Sequence, residues 1–584
     1  MPAFQASRLC GSSLVYCFLL LFFFPPSSFQ AQLPPEPRIE SLLQAARAAE
    51  QIKDFEAAAA SYQEILRIRP QWALIHQSLG VVRHLQNRYP DAIAAFESAL
   101  KLDPSLWGSH LFLGMDRYRT NQFQLAIPAL QQSIKLNPKL AEPEARMWLG
   151  SSYLALEQHD EAVEHFRRLV ELKPRDLEAL FNLAQAYSRY SSALFKKISV
   201  FEPESAEAHR LQAEWLEWQE KSEEAIKEYQ RVASLRPEWE GIHLSIAKLY
   251  QKTGELGKAA EALQEELRLA PEDPEVRQSL EAVQQKLGLS GDASSRIVQA
   301  GLEPSSRVEQ ALRKFRARDF AGARSLLDRF IAAAPKNFAA LIYLSRCHFH
   351  LGDYSEAVRL LRREELQDHL EALYWAGRSY QELAAAALES MIDIDPAYHR
   401  VFQLSGELLE DKGKYSEAIS AYQIALERSA ESAGLRYAIG NAYWKMQKPD
   451  EALLSLKAEL ARNPYHALAN YRIGSIYASK GDADLAASFL EKAIQANPGL
   501  LPAQQELAKV LLSQKRDAEA IAILKRLAIA DPQDESVRYL LAGAYRKVGN
   551  LEAANAELRA FTQLRENNSR KRQEYLKGRV TAKP

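Results

Sequence analysis

Paired cysteines, strand-forming runs, an excess of one charge and any catalytic signature are missing from this 584-residue chain, and each absence narrows what it can do. Three cysteines cannot make a disulfide framework, and Cys10 and Cys17 fall in the N-terminal leader described below. Cys347, on a segment that reads as an internal helix, is expected to be a small buried apolar residue. With 74 basic and 75 acidic residues the body has no field to hold a polyanion, so bulk nucleic-acid binding is excluded. The exception is the stretch from Arg565 to Lys583, where seven basic residues face only Glu566 and Glu574. It reads as the solvated end of the last helix, with contact to an acidic partner or a membrane surface as the alternative.

Glycine and the β-branched residues are sparse, and Ala, Leu, Glu, Gln, Lys and Arg dominate, which predicts an all-helical chain. A chain this long cannot close one core, so it must be several domains or one extended array.

No H-E-x-x-H, Gly-rich phosphate loop or paired-cysteine motif occurs. His348 and His350 are the closest histidine pair, and two apart on a helix they point about 200° away from each other, too divergent to chelate one ion. His159 and His165 lie either side of a helix start and are discounted likewise. Adjacent carboxylates such as Glu265-Glu266 and Glu364-Glu365 diverge on a helix and read as solvated faces. The expectation is no catalytic residue, no metal, no cofactor and no small-molecule substrate.

The N-terminus reads as an export signal: Arg8 is its lone positive charge, Leu14 to Phe24 is an unbroken apolar run, and Pro25-Pro26-Ser27-Ser28 closes it. Eleven helical residues reach only ~17 Å against a ~30 Å hydrocarbon core. Cleavage after Ala31 is expected, although Phe29 is bulkier than such sites prefer, and an uncleaved anchor is the alternative. This makes the chain exported, periplasmic or associated with the cell envelope.

What is present is a period. Pro70, Pro104 and Pro138 are 34 residues apart, as are Pro464, Pro498 and Pro532. Alanines at Ala92, Ala126, Ala452, Ala486, Ala520 and Ala554 hold one phase, and Gly80, Gly114, Gly440 and Gly474 hold another. Two small positions per unit mark close contact of an A-helix with a B-helix, Gly or Ala facing Ala, and the proline stops the B-helix. The best units add a large residue before the glycine and a tyrosine three after it, as in Ile473-Gly474 with Tyr477.

In this apolar-Gly-Tyr, Ala, aromatic-or-Leu, Pro pattern the chain resembles the tetratricopeptide family, and "YSEAISAYQIAL", Tyr415 to Leu426, is close to its second-helix signature. The resemblance implies a right-handed α-solenoid of about 14–16 helical hairpins. Unit starts fall at Ile39, Ala73, Trp107, Pro143, Leu177, Ala206 and Glu240, with a further helix from Pro274, then near Pro304, Phe338, Leu370, His399, Ala433, Ala467, Leu501 and Glu535.

The two halves are copies: a shift of 193 superposes Leu177–Pro271 on Leu370–Pro464 without a gap. Both copies lack five residues at the same place, since Tyr187 to Pro203 and Tyr380 to Pro396 span 16 residues where Tyr443 to Pro464 spans 21. No Gly or Pro ends the helix in "QELAAAALES", so the A-helix is expected to run straight into a shortened B-helix. The expected organisation is a signal peptide at 1–31, a first array at 39–286, a Gly/Ser-rich linker at 287–306, a second array at 307–566 and a basic tail at 567–584.

The resemblance also implies that A-helices line a concave groove and that the second, fifth, ninth, twelfth and thirteenth repeat positions meet ligands. The Lys/Asn/Arg set that clamps a chaperone's terminal carboxylate in some members is absent, with Asn441 and Arg472 only fragments of it. Tyr437, Tyr471 and Tyr539 recur at the fifth position, with Trp444 beside the first two and Gln505 interrupting the ladder. Tyrosine is amphipathic and low in rotamer entropy, hence effective at interfaces; packing between units is the competing reading. Tyr437, Trp444, Tyr471 and Tyr539, with Arg546 and Lys547 adding positive charge, are the candidate site for a protein or peptide. The expected function is a non-catalytic scaffold assembling or tethering envelope proteins; the alternative is an accessory protein of polysaccharide export that binds glycan or its secretion machinery.

Overall fold

The structure, a computed structural model, describes residues 37–288 and 306–581, with 431 and 433 apart, and from 568 onward the course of the backbone alone. The expected signal peptide lies outside the described residues, as does the expected linker except for Leu287, Gly288 and Ser306. Among the described residues there are 29 α-helices and no strand. The chain is all-α, a succession of stacked helical hairpins. Its contacts divide it into two compact units, residues 175–421 and the two flanking stretches.

The first flanking stretch holds α1 (Pro37–Gln51), α2 (Phe55–Ile68), α3 (Ala73–Leu85), α4 (Tyr89–Leu102), α5 (Trp107–Arg119), α6 (Phe123–Leu136), α7 (Pro138–Ala155) and α8 (His159–Leu172). The unit of residues 175–421 holds α9 (Leu177–Phe201), α10 (Ala206–Trp218), α11 (Ser222–Leu235), α12 (Ile242–Thr253), α13 (Leu256–Leu269) and α14 (Pro274–Lys286). It continues with α15 (Arg307–Arg316), α16 (Phe320–Ala333), α17 (Phe338–His350), α18 (Tyr354–Leu361), α19 (Leu370–Ile394) and α20 (His399–Asp411). After α21 (Tyr415–Arg428), which crosses the boundary, come α22 (Leu435–Lys445), α23 (Pro449–Arg462), α24 (Ala467–Ser479), α25 (Ala483–Ala496), α26 (Leu501–Ser513), α27 (Asp517–Ala530), α28 (Glu535–Lys547) and α29 (Leu551–Thr581).

Thirteen pairs of these helices form hairpins, and every hairpin turns through one residue with positive φ. Five turns use glycine, as at Gly481; eight use a side-chain-bearing residue such as Asn87, Glu157, Gln447 or Lys515. That conformation costs a residue with a Cβ roughly 1 kcal/mol, a strain the packed helices on either side hold in place. The sequence reading placed the unit starts well, since α3, α5, α10, α17, α24, α26 and α28 begin on the expected residue. Four starts differ by two or three residues, α1, α12, α15 and α22 beginning at Pro37, Ile242, Arg307 and Leu435 against the expected Ile39, Glu240, Pro304 and Ala433, and α7 starts at Pro138 and not at Pro143, because Asn137 ends α6 and its side chain caps α7 at the same time.

The small positions are tighter than expected. A Cβ on Gly474 would lie 2.7 Å from Leu490 Cγ and 3.3 Å from the Ala486 carbonyl oxygen. Gly440 meets Leu456 and the Ala452 carbonyl in the same way. The glycine thus accommodates a bulky B-helix side chain, and the alanine brings the B-helix backbone close; the pair is not simply small against small.

A further repeated contact ties each hairpin to the one before it. The fourth residue of many A-helices reaches the carbonyl six residues back, at the end of the preceding B-helix. His76 Nε2 lies 2.8 Å from the Pro70 oxygen, His110 Nε2 3.0 Å from that of Pro104, and Asn470 Nδ2 3.0 Å from that of Pro464. A carbonyl can only accept, so the side-chain nitrogens donate, and the carbonyl of the proline that follows these B-helices is satisfied.

In the unit of residues 175–421, α9 and α19 are each a single 25-residue helix, and neither contains a positive-φ turn, as the missing five residues predicted. These two equivalent helices pack against each other. Tyr187 meets its own counterpart Tyr380 at 5.8 Å between ring centroids, Phe195 meets Tyr374 at 6.3 Å, and Lys197 Nζ reaches Asp368 at 2.8 Å. Rising numbers on one helix meet falling numbers on the other, so they run antiparallel. The polar contacts repeat across the pair: Gln185 Nε2 donates to Glu407 at 2.9 Å, and the residues that correspond under the 193-residue shift, Arg378 and Glu214, pair at 3.3 Å. The two copies meet through an isologous contact, the arrangement of a two-fold dimer built into one chain.

One hydrophobic core runs from Ile198 to Ala376 and so includes helices from both sides of residues 287–306. Arg346, 3 % exposed, pairs with Glu240 at 3.1 Å and Glu371 at 3.4 Å, and Arg236 bonds Glu371 and Glu207. Buried charges persist only when paired like this.

Candidate functional site

The candidate residues fall on α22, α24 and α28, and the contacts of α22, α24, α26 and α28 with one another define their face. Arg472 on α24 donates to Asn441 Oδ1 on α22 at 3.0 Å, Ser475 on α24 to Glu506 on α26 at 2.5 Å, and Lys547 Nζ on α28 to the Leu512 carbonyl on α26 at 3.3 Å. Successive A-helices thus touch along one side, and the candidates border it.

Tyr437 is half-buried and stacks on His466, the N-cap of α24, at 5.0 Å. His466 Nδ1 accepts from the Ala469 N–H at 3.1 Å, which requires a neutral ring; burial pushes its pKa down to about 4. The cap of one repeat therefore seats the tyrosine of the preceding one. Tyr471 is also half-buried, and burial first, then the carboxylate of Glu506, raises its hydroxyl pKa. Trp444 and Tyr471 are brought together by one guanidinium, Arg472, which lies over both rings at 5.8 and 5.7 Å. Tyr539 stands apart. It is 60 % exposed and leans on Phe561 of α29 at 5.6 Å. Arg546 and Lys547 are exposed on the same helix.

Three participants, His466, Arg472 and Glu459, do not stand out as site residues in the sequence. Arg472 was noted only as a fragment of a clamp, yet it organises the aromatic pair. Glu459 accepts from the Gly434 N–H at 3.3 Å and so caps α22, the helix that carries Tyr437 and Trp444. Its counterpart 193 residues earlier, Glu266, accepts from the N–H groups of Gly241, His243 and Leu244 at 2.6, 3.0 and 3.2 Å. Both glycines have positive φ and no side chain of their own to cap with. The signal was in the sequence as a matched Gly/Glu pair 25 residues apart, a spacing that no local capping pattern covers.

Among the described residues no group of His, Cys, Asp or Glu is placed to hold a metal ion. His348 bonds Asp353 at 3.0 Å, and His350 stacks on Phe320 at 4.4 Å. Burial, followed by Arg146, pushes the His165 pKa down to about 4. Cys347 is buried, and burial lifts its thiol pKa to about 12. No described helix is long and apolar enough to cross a membrane.

Comparison with known proteins fits this architecture. Profiles described as "Tetratricopeptide repeat" match residues 43–106, 113–176, 149–194 and 437–500, and, in a second profile, residues 314–379 and 477–544. A "TPR repeat" profile matches 406–447. No curated protein matches the chain. Among solved structures, a crystal structure of MamA is 22 % identical over 28 % of this chain and 96 % of its own, with a TM-score of 0.27. MamA 41-end from Desulfovibrio magneticus RS-1 is 21 % identical over 26 % of this chain and 86 % of its own, with a TM-score of 0.26. The structure of Naa15/Naa10 bound to HypK-THB is 13 % identical over 94 % and 98 %, with a TM-score of 0.33. With profile matches spread from residue 43 to residue 544 and the hairpins that the repeat demands, the chain belongs to the tetratricopeptide-repeat family.

Proposed function

We propose that the chain is a non-catalytic scaffold that binds a protein or peptide along the A-helix side of α22 to α28. The observation that carries this reading is the combination of Tyr539, 60 % exposed, with the half-buried Tyr437 and Tyr471 and the Trp444–Arg472–Tyr471 cluster on the A-helices α22, α24 and α28. Large amphipathic side chains held in place by neighbours bind without a large entropic cost. The position of Arg472 over Trp444 and Tyr471 supports a protein partner over a glycan, since it occupies ring faces on which a sugar would stack.

The test compares Tyr539→Ala with Tyr471→Ala in the full chain, using partners captured from the native source. Tyr539→Ala is expected to cost about 1–2 kcal/mol of binding and leave the melting temperature unchanged. Tyr471→Ala is expected to weaken binding and also lower the melting temperature, because Tyr471 packs toward the next A-helix. Unchanged partner binding by both folded variants would remove this face from consideration.

The location in which the scaffold works, exported and either periplasmic or associated with the cell envelope, is part of the proposal and rests on Arg8 and the apolar run from Leu14 to Phe24. Mass spectrometry of the natively produced protein is expected to find a start between Ser28 and Gln32; an intact Met1 chain in membranes would overturn cleavage.

A further inference from the structure

Charge is segregated in the C-terminal repeats. The A-helices α22, α24, α26 and α28 carry seven Lys or Arg against two carboxylates, whereas the B-helices α23, α25 and α27 carry seven carboxylates against five Lys or Arg. The A-helices α1, α3, α5 and α7 of the first repeats are nearly balanced, with seven against five. Of the two A-helix carboxylates, Glu506 accepts from Ser475, and Glu535 sits in the first turn of α28. Lys445, Lys509, Arg546 and Lys547 are exposed; Arg546 falls about two helical turns after Tyr539, and Lys509 about one turn after Gln505, which holds the position of the tyrosines in its repeat. A chain whose net charge is −1 has thus gathered a local positive surface on one side of one run of repeats, interleaved with Tyr471, Trp444 and Tyr539.

We infer that the partner segment bound here is acidic and extended, with aspartate or glutamate side chains meeting Lys445, Lys509, Arg546 and Lys547 and apolar or aromatic side chains between them resting on the tyrosines. This rests on the reading of the α22–α28 face as the binding site and adds the chemistry of what binds. Exposed lysines and arginines on a surface low in carboxylates steer an anionic segment and reject a basic one, because like charges brought together are repelled. The aromatic interleaving favours a peptide with side chains of its own over a smooth polyanion.

The experiment measures fluorescence anisotropy of two labelled peptides of about twelve residues each, alternating Glu with Tyr or Leu in one and Lys with Tyr or Leu in the other, on the full chain. The acidic peptide is expected to bind and the basic one not, with affinity falling about tenfold between low and high salt. Lys509→Glu and Arg546→Glu should each weaken the acidic peptide about tenfold, while Lys525→Glu, exposed on the B-helix α27, should leave it unchanged. Equal binding of the two peptides, binding of neither, or equal loss with Lys525→Glu overturns the inference. So does binding to phosphatidylglycerol vesicles in place of the peptide. The captured partner separates the two levels. If it is lost with Tyr539→Ala and Tyr471→Ala but retained by both charge reversals, the acidic chemistry fails and the binding face stands; if it is retained by all four variants, the face itself fails.

Discussion

His466 carries two roles on one ring, the N-cap of α24 and the platform under Tyr437, and both depend on its remaining neutral. Its folded pKa is pushed down to about 4, against roughly 6.5 in an unfolded chain. The sign follows from proton linkage: the unfolded state binds a proton first, so the stability this residue contributes is fully present above about pH 6.5 and is lost as the pH falls toward 4. Asparagine keeps an acceptor for the cap and cannot titrate, so His466→Asn is expected to melt close to the wild type at neutral pH and above it at about pH 4.5. Melting curves of the two proteins across that window check this, and a constant difference at every pH would show that the ring's charge is irrelevant. At this scale the sequence was only half legible. It marked Tyr437, Tyr471 and Tyr539 as a series, but Arg472 and His466 act on side chains of the preceding repeat and Glu459 caps the other helix of its own hairpin, which spacing along one helix cannot reveal.

For the hairpins the reading from sequence went further, because the signals that start, stop and stack them are local. Asp, Asn and Ser caps, prolines and the small positions each act within a few residues, so most A-helices begin where the period put them. The fused helices α9 and α19 were legible for the same reason, since five missing residues leave no room for a turn. Less legible was the conformation of the turns, where eight of thirteen place a side chain at positive φ. That mixture gives two expectations of opposite sign. Gln447→Gly should stabilise by about 0.5–1 kcal/mol, because glycine adopts the left-handed turn without the Cβ clash. Gly474→Ala should destabilise by about 1–3 kcal/mol, because its new methyl would meet Leu490 Cγ at 2.7 Å. Chemical denaturation of both variants decides; stabilisation by Gly474→Ala would mean that α25 can move away from α24 at no cost.

Across residues 175–421 the duplication has a consequence that no alignment of the halves exposes. A shift of 193 says that two segments are alike and is silent on whether they touch; here α9 and α19 touch along antiparallel axes, and Gln185 and Arg378 make matching bonds to Glu407 and Glu214. Arg346, Glu240, Glu371 and the core from Ile198 to Ala376 extend the contact. An expected first array ending at 286 and an expected second beginning at 307 are therefore joined by far more than the chain between them. Once a protease site placed within residues 289–305 of the full chain has been cut, the two fragments should elute together under native conditions and separate only in denaturant. Gln185→Glu would set a second carboxylate 2.9 Å from Glu407, whose pKa burial already raises, and is expected to cost about 3 kcal/mol or more by leaving a buried charge unpaired. After cutting, that variant should release its fragments at lower denaturant than the wild type, whereas Glu223→Gln, on exposed α11 surface away from the contact, should not. Fragments that part on cutting alone would show that the α9–α19 pairing holds only while the chain between them is intact.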